Sequence, residues 1–446
     1  HQMFSLSSTP KVSTIRPIIK TGEQYRMLFF YTFTLWLLLP YIFLHLLWRA
    51  RKQPEYLRHV KERFGFYSIQ VNNPIIWLHA VSVGETRATQ SLVIRLRASY
   101  PHHQILITHA TPTGRATSKE LYGDSVWRVY LPYDYPFAVR KFLRHFRPQL
   151  GILLETEIWF NLTHECHKVG VPLLLLNARM SEKSARGYLR FARLTHRALE
   201  KFTSIAAQTH EDASRLTGLG AKNVSVMGNL KFDIKPPQAQ LQLGKQLRAQ
   251  FGIGRKIFLA ASTREGEEIL LLDALKYIHI PNLLVVIVPR HPQRFADIAN
   301  LLKQRGILFQ CRSKNTPVSA ETQVVLGDSM GEMFAYYCTA DLAFVGGSLL
   351  PYGGQNLIEA CAVGTPVLVG PYTYNFTEIT LLAISAGATD RAKDATEIIA
   401  KLQHLLEDPA ALSAMRLQGI KFVESNHGAT EVSLQIIRNS LPILSG

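Results

Sequence analysis

Short apolar runs alternate with longer amphipathic segments along most of the chain. Five runs bounded by turn residues occupy 75–81, 104–109, 150–154, 172–176 and 204–207. Segments with helical spacing follow them, among them 85–99 and 181–202. This alternation of short buried strands and helices is typical of a parallel sheet that carries helices on both faces.

A polar stretch with two adjacent prolines, residues 233–240, interrupts the alternation, which then starts again. Five further apolar runs occupy 256–261, 283–289, 323–326, 342–345 and 366–369. The pattern therefore predicts an α/β chain with two Rossmann-like halves, at 51–235 and 236–420. The last segment, about 412–440, has helical spacing, and we expect a C-terminal helix at 421–446 to return toward the first half.

One apolar segment is long enough to cross a membrane. Residues 27–48 form a run without Asp, Glu, Lys or Arg. At about 1.5 Å per helical residue the run is about 33 Å long, against a hydrocarbon core of about 30 Å. We predict a membrane-anchor helix at 26–50 after an N-terminal tail at 1–25; the alternative is a buried or interfacial hairpin. If the helix spans, Arg49, Arg51 and Lys52 place the bulk of the protein in the cytoplasm.

The composition limits the class of protein and of partner. The 446 residues include 50 Lys and Arg against 33 Asp and Glu, a formal charge of +17, and 47% are hydrophobic. A disordered chain is excluded, and an anionic partner is expected: nucleic acid, an anionic membrane or a phosphorylated substrate. The basic residues are spread along the chain, which argues against a nucleic-acid binder. The four Cys lie far apart, which argues against a disulfide scaffold.

Acidic residues follow two predicted strands of the first half, where ligands of parallel sheets bind. Glu85 closes the motif HAVSVGE and opens a helix, so it is either a helix N-terminal charge or a catalytic base. Glu155 and Glu157 lie in the motif LLETE. Two acids so close rarely both point into a core. Either one of them contacts a substrate or a basic residue, or both lie in a solvated loop.

Two motifs of the second half suit an anionic ligand. Arg290, in PRHPQR, can hold a phosphate or a carboxylate with two parallel hydrogen bonds, or else it merely ends a surface strand. A glycine-rich stretch at 344–359 leads from a strand into a helix predicted to begin near Asn356. Its backbone amides suit a phosphate, and Glu359 can accept hydrogen bonds from ribose hydroxyl groups. The alternative is that the glycines are purely structural. GDSMGE, at 327–332, is a similar but weaker turn.

Motifs for metal-dependent and covalent chemistry are missing from the sequence. It contains no Asp-x-Asp pair, no P-loop, no GxSxG and no HExxH. We therefore expect neither a metal nor a cofactor. The charge of a departing phosphate would be balanced by Arg290 and by the helix N-terminus at Asn356.

Several of these motifs occur in an order and at spacings that resemble the Kdo transferase family, the 3-deoxy-D-manno-octulosonic acid transferases of Gram-negative lipopolysaccharide synthesis. The resemblance covers essentially the whole chain. It rests on HAVSVGE (79–85), LLETE (153–157), GNLKFD (228–233), STREGEE (262–268), PRHPQRF (289–295), GDSMGEM (327–333) and GGSLLPYGGQNLIEA (346–360).

This resemblance implies an inverting GT-B glycosyltransferase, in which two Rossmann-like domains face a cleft behind an N-terminal transmembrane helix. The first domain would bind the acceptor, lipid IVA, and the second would bind the donor, CMP-Kdo. The resemblance places a single-pass protein in the cell inner membrane, with its catalytic domains on the cytoplasmic face.

Roles for individual residues also follow from the resemblance. Glu85 would be the general base, and Glu155 and Lys231 would assist the transition state. The CMP pocket would be lined by Pro289, Arg290, Met330, Gly331, Glu332, Asn356, Leu357, Ile358 and Glu359. One position departs from the family pattern, because Arg264 stands where a His is expected in many relatives.

Two other classes of protein are considered beside this one. Another GT-B enzyme, transferring a sugar from a UDP-sugar to a membrane lipid, would share the fold and the glycine-rich stretch; a preference for UDP over CMP would identify it. A membrane-tethered nucleic-acid binder would explain the positive charge. It requires basic and aromatic residues clustered on one surface, however, and the basic residues of this sequence are dispersed.

Overall fold

The computed structural model of the chain describes residues 21–441, without the side chains of residues 21–25 and 52. Most of the predicted N-terminal tail and the end of the predicted C-terminal helix lie outside the described residues. The chain divides into two compact units. Among the described residues, the first unit comprises 21–86, 97–226 and 437–441, and the second comprises 87–96 and 227–436.

Seven parallel strands form the sheet of the first unit: β1 (Ile75–His79), β2 (Gln104–His109), β3 (Trp127–Tyr130), β4 (Leu150–Leu154), β5 (Leu173–Ala178), β6 (Ser204–Ala207) and β7 (Val224–Val226). Their order across the sheet is β3-β2-β1-β4-β5-β6-β7. The helices up to the end of this sheet are α1 (Thr21–Lys52), α2 (Val83–Ala88), α3 (Gln90–Ser99), α4 (Pro112–Tyr122), α5 (Pro136–Phe146), α6 (Phe160–Lys168), α7 (Glu182–Leu189), α8 (Ala192–Leu199) and α9 (His210–Gly218). Short 3-10 turns cover Pro54–Leu57 and Val60–Phe64.

A second sheet of seven parallel strands lies in the other unit: β8 (Lys256–Thr263), β9 (Leu283–Pro289), β10 (Phe309–Cys311), β11 (Val324–Leu326), β12 (Leu342–Val345), β13 (Val367–Val369) and β14 (Thr389–Arg391). Their order is β10-β11-β9-β8-β12-β13-β14. The helices are α10 (Gln238–Phe251), α11 (Glu267–Leu275), α12 (Phe295–Gln304), α13 (Met333–Thr339), α14 (Ile358–Ala362), α15 (Thr377–Ser385), α16 (Ala395–Glu407), α17 (Pro409–Asn426) and α18 (Ala429–Ser440). Three 3-10 turns cover Leu230–Phe232, Pro292–Arg294 and Arg312–Lys314.

These sheets confirm the predicted α/β class with two Rossmann-like halves. The middle strands are buried along their whole length, as in β1 and β4, because helices cover both faces of the sheet. The pattern predicted five strands in each half, and the structure has seven. The four additional strands are β3, β7, β10 and β14, which form the two edges of each sheet.

Three predicted helical stretches are each divided in two. The stretch at 85–99 is α2 followed by α3, the stretch at 181–202 is α7 followed by α8, and the stretch at about 412–440 is α17 followed by α18. In the last case His427 and Gly428 separate the helices, and Gly428 has a φ of 119° that interrupts helical geometry. The boundary predicted at residue 421 therefore falls inside α17.

The predicted membrane segment is a single unbroken helix, α1, although it contains Pro40. Residues Arg26–Arg51 within it have a mean hydropathy of 1.9, so α1 is long and apolar enough to cross a membrane. The alternative of a hairpin is wrong, since the helix runs without a turn from Thr21 to Lys52.

Each sheet has one point at which the strand order reverses. In the first unit β1 and β4 are neighbours, with His79 opposite Leu153; in the second β8 and β12 are neighbours, with Ala261 opposite Val345. Ligands of open parallel sheets bind beyond the carboxyl ends of the strands at such a reversal. The loops that leave these four strands are therefore where a functional site is expected.

Candidate active site

Glu85 lies at the corner between β1 and α2. Its Oε2 accepts a hydrogen bond from the Val81 N–H at 2.8 Å, and its Oε1 accepts one from the Ser82 hydroxyl at 2.9 Å. Ser82 Oγ accepts in turn from the N–H of Glu85 at 3.3 Å. This reciprocal pair is a variant of the capping box, which satisfies free amides at a helix N-terminus. Glu85 thus does cap its helix, but the residue is only partly buried and each carboxylate oxygen can accept another hydrogen bond.

Burial changes the acid strength of Glu85. Burial first, and the negative charge of Glu155 second, raise the pKa of the Glu85 carboxyl to about 7, although the hydrogen bonds from Val81 and Ser82 lower it. A carboxyl with this pKa is partly ionised at neutral pH, as a general base requires. The structure therefore brings together two of the predicted catalytic residues, at the ends of the neighbouring strands β1 and β4.

The two acids that follow β4 have different surroundings. Glu155 has a left-handed backbone conformation, with a φ of 57°, which is uncommon for a residue other than glycine. Glu157 accepts a hydrogen bond from Trp159 Nε1 at 2.6 Å and lies 3.7 Å from His79 Nε2. The expectation that one acid contacts a basic residue therefore fits Glu157, whereas Glu155 acts on the ionisation of Glu85.

Two buried histidines support this corner, and neither was singled out from the sequence. The Nδ1 of His79 lies 2.9 Å from Thr108 Oγ1, and the Nδ1 of His109 lies 2.9 Å from the Ala80 carbonyl oxygen. Among the described residues, neither Nε2 atom has a hydrogen-bond partner. Burial lowers the pKa of His109 to about 3, so its imidazole is neutral at physiological pH. The sequence feature that could have predicted them is a histidine at the end of an apolar run, such as His109 after Thr108.

In the second unit, Arg290 follows β9, the neighbour of the central strand β8. Its N–H donates to the Thr263 carbonyl at 3.0 Å, which fixes its backbone. Burial lowers the pKa of its guanidinium, as does the positive charge of Arg87, whereas Glu359 raises it. The pKa of the Glu359 carboxyl is raised by burial and lowered by Arg87 and Arg290. Arg290 and Glu359, both predicted pocket residues, are therefore close enough to affect each other, in surroundings with two further arginines, Arg87 and Arg264. Pro289, the pocket residue that precedes Arg290, is the buried last residue of β9.

The loop after β11 carries three of the predicted pocket residues. Met330 is exposed, and Gly331 has a φ of 76°. Glu332 is engaged within the protein, because its carboxylate accepts hydrogen bonds from the Ser329 hydroxyl at 2.6 Å and from Arg312 at 3.2 Å. Met330 and Gly331 are thus open to a ligand, while the Glu332 side chain holds the loop in shape.

A buried carboxylate occupies the first part of the glycine-rich stretch after β12. Glu267 is fully buried and accepts hydrogen bonds from the N–H groups of Arg264 at 2.8 Å, Gly347 at 2.7 Å and Leu349 at 2.9 Å. These amides are therefore not available to a bound phosphate. At Gly347 and Leu349 the glycine-rich stretch is therefore structural, which was the alternative to phosphate binding.

The helix predicted to begin near Asn356 begins at Ile358 and has five residues. The start predicted near Asn356 is therefore two residues early, and so short a helix lacks the aligned peptide dipoles of a long one. The amides that precede it, those of Gln355, Asn356 and Leu357, donate to no acceptor in the part of the chain that the structure describes. Asn356 Oδ1 accepts from the N–H of Ile358 at 3.1 Å. These three amides are the donors of this stretch that a ligand could use.

Lys231, the third predicted catalytic residue, belongs to the second unit. Its Nζ lies 5.7 Å from the centre of the Phe376 ring, within the range of a cation–π contact. Asp233, at the end of the same motif, accepts hydrogen bonds from the amides of Gly428, at 2.7 Å, and Thr430. The motif GNLKFD therefore fixes the start of α18 through Asp233 and leaves Lys231 partly exposed.

Two other motifs are joined by an ion pair. Glu268, from STREGEE, is buried and receives two parallel hydrogen bonds from Arg294 of PRHPQRF, at 2.7 and 2.9 Å. Thr263 donates to the same carboxylate at 2.5 Å. This bidentate pair joins the start of α11 to the loop after β9. Arg294 therefore has a structural role, whereas the Arg290 guanidinium in the same loop lies close enough to Glu359 and Arg87 to be affected by their charges.

The arrangement suits acid–base chemistry in one unit and anion binding in the other. The first unit presents a carboxylate of raised pKa, and the second presents arginines and open backbone amides. The residues that the structure describes include no group of three or more His, Cys, Asp or Glu that could hold a metal ion.

Comparison with known proteins points to one family. Residues 58–234 match a family model described as 3-deoxy-D-manno-octulosonic-acid transferase (kdotransferase). A 3-deoxy-D-manno-octulosonic acid transferase of Bordetella pertussis is 39% identical over 427 residues, which are 92% of this chain and 99% of the relative. Another, of Haemophilus influenzae, is 36% identical over 417 residues, 92% of this chain and 98% of the relative.

A solved structure supports the fold assignment. The crystal structure of a glycosyltransferase from Rickettsia africae matches with a TM-score of 0.55 at 13% identity, covering 83% of this chain and 99% of that chain. At this identity the match concerns the fold alone. Together with the two parallel seven-stranded sheets, it agrees with the GT-B architecture expected from the sequence.

Proposed function

The chain belongs to the 3-deoxy-D-manno-octulosonic acid (Kdo) transferase family, and from this premise we propose that it transfers Kdo from CMP-Kdo to the lipid A precursor lipid IVA. It is a glycosyltransferase of lipopolysaccharide biosynthesis. We assign the acceptor to the first unit, the donor to the second, and the reaction to the cytoplasmic face of the inner membrane. The observation that carries the mechanism is the partly buried Glu85 carboxyl, whose pKa is raised to about 7 by burial and by the charge of Glu155.

Glu85 acts as the general base in this proposal. Its ionised carboxylate accepts the proton of the acceptor hydroxyl as that oxygen attacks the anomeric carbon of Kdo, on the face opposite the leaving CMP, so that the configuration inverts. The Val81 amide and the Ser82 hydroxyl orient the carboxylate, since each donates to a different oxygen. Glu155 keeps the pKa of Glu85 high, so that the base is strong enough to take a hydroxyl proton at neutral pH.

The second unit binds the donor and stabilises the departing nucleotide. The Arg290 guanidinium can make two parallel hydrogen bonds to a phosphate or to the Kdo carboxylate. The amides of Gln355, Asn356 and Leu357 can donate to the same phosphate, and Glu359 can accept from the ribose hydroxyls. Lys231 supplies a further positive charge to the transition state. Developing negative charge is thus stabilised by fixed donors of the protein, and the proposal needs no metal ion.

Product analysis tests this function. The purified chain is incubated with lipid IVA and CMP-Kdo, and the lipid is examined by mass spectrometry; a matched reaction contains UDP-sugars instead. The proposal predicts a mass increase by one or more Kdo units with CMP-Kdo only. Calorimetry should likewise show binding of CMP in preference to UDP. Transfer from a UDP-sugar, without transfer from CMP-Kdo, would establish the alternative GT-B enzyme.

A further inference from the structure

One side of α1 packs against the first unit along the whole apolar length of the helix. The less exposed positions of α1 recur at intervals of three or four residues, which places them on one side of a helix. Those on this side include Leu28, Thr32, Leu35, Leu39, Ile42, Leu46 and Ala50. At about 1.5 Å per residue this seam extends over about 33 Å, as much as the hydrocarbon core of a bilayer.

Polar contacts hold the N-terminal half of this seam. The Tyr31 hydroxyl donates to Asp134 Oδ2 at 2.9 Å, and Asp134 also accepts from the amides of Asn161 and Leu162, at 3.0 and 2.8 Å. Asp134 is thereby fully engaged and is 6% exposed. A further hydrogen bond of 2.6 Å runs from the Tyr135 hydroxyl to the carbonyl oxygen of α1 residue Leu35. These contacts join α1 to the start of α6 and to the loop before α5.

Aromatic contacts continue the seam toward the C-terminal half. The Trp36 ring lies 5.1 Å from the Tyr135 ring, and the Phe43 ring lies 5.9 Å from the Phe64 ring, which stacks nearly parallel to it. Leu46 and Ala50, one and two turns further on, are buried. The helix therefore contacts the globular part of its own unit from near its beginning to near its end.

The opposite side of α1 is apolar and exposed. Its large side chains are between 45% and 66% exposed: Phe29, Phe30, Phe33, Leu37, Leu38, Tyr41, Leu44, Leu47 and Trp48. Two apolar residues of the segment that follows the helix, Leu57 and Phe66, are also exposed. An apolar surface of this extent is not stable in water and marks a surface that contacts lipid or protein.

Exposed basic residues lie at both ends of α1 and in the first unit beyond it. Arg26 and Arg49 on α1 and Arg58 beyond it are exposed, and the Lys141 ammonium lies 3.5 Å from the centre of the Phe66 ring. Basic residues beside an apolar helix face are typical of helices that lie in the interface of anionic membranes. The charge pattern therefore favours an anionic bilayer surface over a protein as the occupant of this side.

We propose that α1 lies in the plane of the membrane with its apolar side in the lipid, and does not cross the bilayer. Crossing would either break every contact of the seam or carry Asp134 and the charged surface of the first unit into hydrocarbon, where polar groups are costly. In the plane of the membrane, one side of α1 keeps its contacts with the protein while the other side lies in the lipid. This inference rests on the membrane association in the proposed function and replaces the single-pass arrangement expected from hydropathy.

The two arrangements place the N-terminus on different sides of the membrane. The full chain with an N-terminal epitope is produced in a Gram-negative host, and inverted inner-membrane vesicles, whose cytoplasmic face is outside, are treated with protease. A lumenal marker protein shows that the vesicles are sealed. The proposal predicts that the epitope is lost without detergent, together with the globular units. An epitope that survives until detergent is added would establish a spanning helix and overturn the proposal.

A vesicle-binding assay tests which surface meets the lipid. The probes are phosphatidylethanolamine vesicles with and without phosphatidylglycerol, and the variants are Leu37→Glu and Leu44→Glu, at side chains 66% and 65% exposed. Each should weaken binding to the anionic vesicles at least tenfold. Leu417→Glu, a matched change at a 51% exposed leucine of α17, should not. Melting curves of the variants should match that of the parent, because these side chains make little packing.

The outcomes separate the inference from the function it rests on. Unchanged vesicle binding by Leu37→Glu and Leu44→Glu, or equal weakening by Leu417→Glu, would overturn the proposed surface. Neither assay depends on Kdo transfer, so a chain that fails to act on lipid IVA but loses its N-terminal epitope to protease would contradict the proposed function alone. A protected epitope with normal transfer would contradict only the in-plane arrangement.

Discussion

The first strand of each sheet ends in the same local arrangement, a Gly-Glu pair at the start of a helix, yet the two acids differ in role. In the first unit Glu85 follows Gly84 after β1, and in the second Glu267 follows Gly266 after β8. Both carboxylates accept a hydrogen bond from an amide three or four residues earlier, and burial raises the pKa of both. Glu85 is only partly buried, however, whereas Glu267 is fully buried.

The two acids also differ in the strand that lies beside them. Beside β1, strand β4 ends in Glu155, an acid whose charge disfavours ionisation of Glu85. Beside β8, strand β12 ends in a glycine-rich stretch, and two of its amides, those of Gly347 and Leu349, donate to Glu267. Burial raises the pKa of both acids; the charge of Glu155 raises that of Glu85 further, whereas the amides of the glycine-rich stretch lower that of Glu267. Under the proposed function, the same motif supplies a base in one sheet and a structural anion in the other.

The largest expected effect comes from removing the base. Glu85→Gln should reduce turnover by about 10²–10⁴-fold, because an amide cannot take the acceptor proton. CMP affinity and melting temperature should remain close to the parent values, since the Gln oxygen can still accept from the Val81 amide. Single-turnover kinetics and calorimetry provide both measurements.

Glu157→Gln is the control for this variant. The Glu157 carboxylate is already engaged by Trp159 Nε1, so its loss should change turnover far less. If Glu157→Gln abolished transfer while Glu85→Gln remained active, the base would have to be reassigned to the loop after β4.

Removing the main cation of the second unit should have the next largest effect. Arg290→Ala should weaken CMP-Kdo binding about ten- to a hundredfold, as expected for a charge-assisted hydrogen bond of ~1.5–3 kcal/mol. Arg290→Lys keeps the charge but loses the planar pair of donors, so it should be impaired to a lesser degree. Lys303→Ala, at an exposed residue of α12, is the control and should bind normally. Equal binding by all three variants would exclude contact between Arg290 and the donor.

A smaller effect, on stability, is expected from the structural acid. Glu267→Gln places an amide N–H₂ against the amides of Gly347 and Leu349, so at least one buried donor loses its acceptor. Unfolding free energy should fall by ~1–3 kcal/mol. Glu265→Gln, at the exposed acid of the same motif, should have no such effect. Melting curves compare the two variants, and a Glu267→Gln protein as stable as the parent would remove the distinction between the two Gly-Glu corners.

Sequence patterns predicted the middle of each sheet better than its edges. The ten predicted strands are the central ones, which are apolar on both faces, and the missed strands are the four edges. β7 and β10 contain no buried residue, and β14 contains one. An edge strand of three or four residues has no continuous apolar run, so hydrophobic periodicity does not reveal it.

The candidate site was predicted in its positions more than in its roles. Glu85, Arg290 and the glycine-rich stretch all lie at the strand ends where the alternation placed them. The hydrogen bond from the Gly347 amide to Glu267 joins residues 80 positions apart, so no local sequence pattern could predict it. The early end of α14, at Ala362, was also not predicted, because the apolar residues after Asn356 continue past it into the turn before β13.

The pH dependence of the chemical step tests the central claim, that Glu85 ionises near neutral pH and serves as the base. Single-turnover transfer should rise with pH through about 7, as the Glu85 carboxyl loses its proton, and then level off. In Glu155→Gln the neighbouring negative charge is absent, so the pKa of Glu85 should fall and the rising limb should move to lower pH. A single-turnover rate that is independent of pH between about 5 and 8, or the same rise with pH in Glu85→Gln, would contradict the assignment of Glu85 as the base.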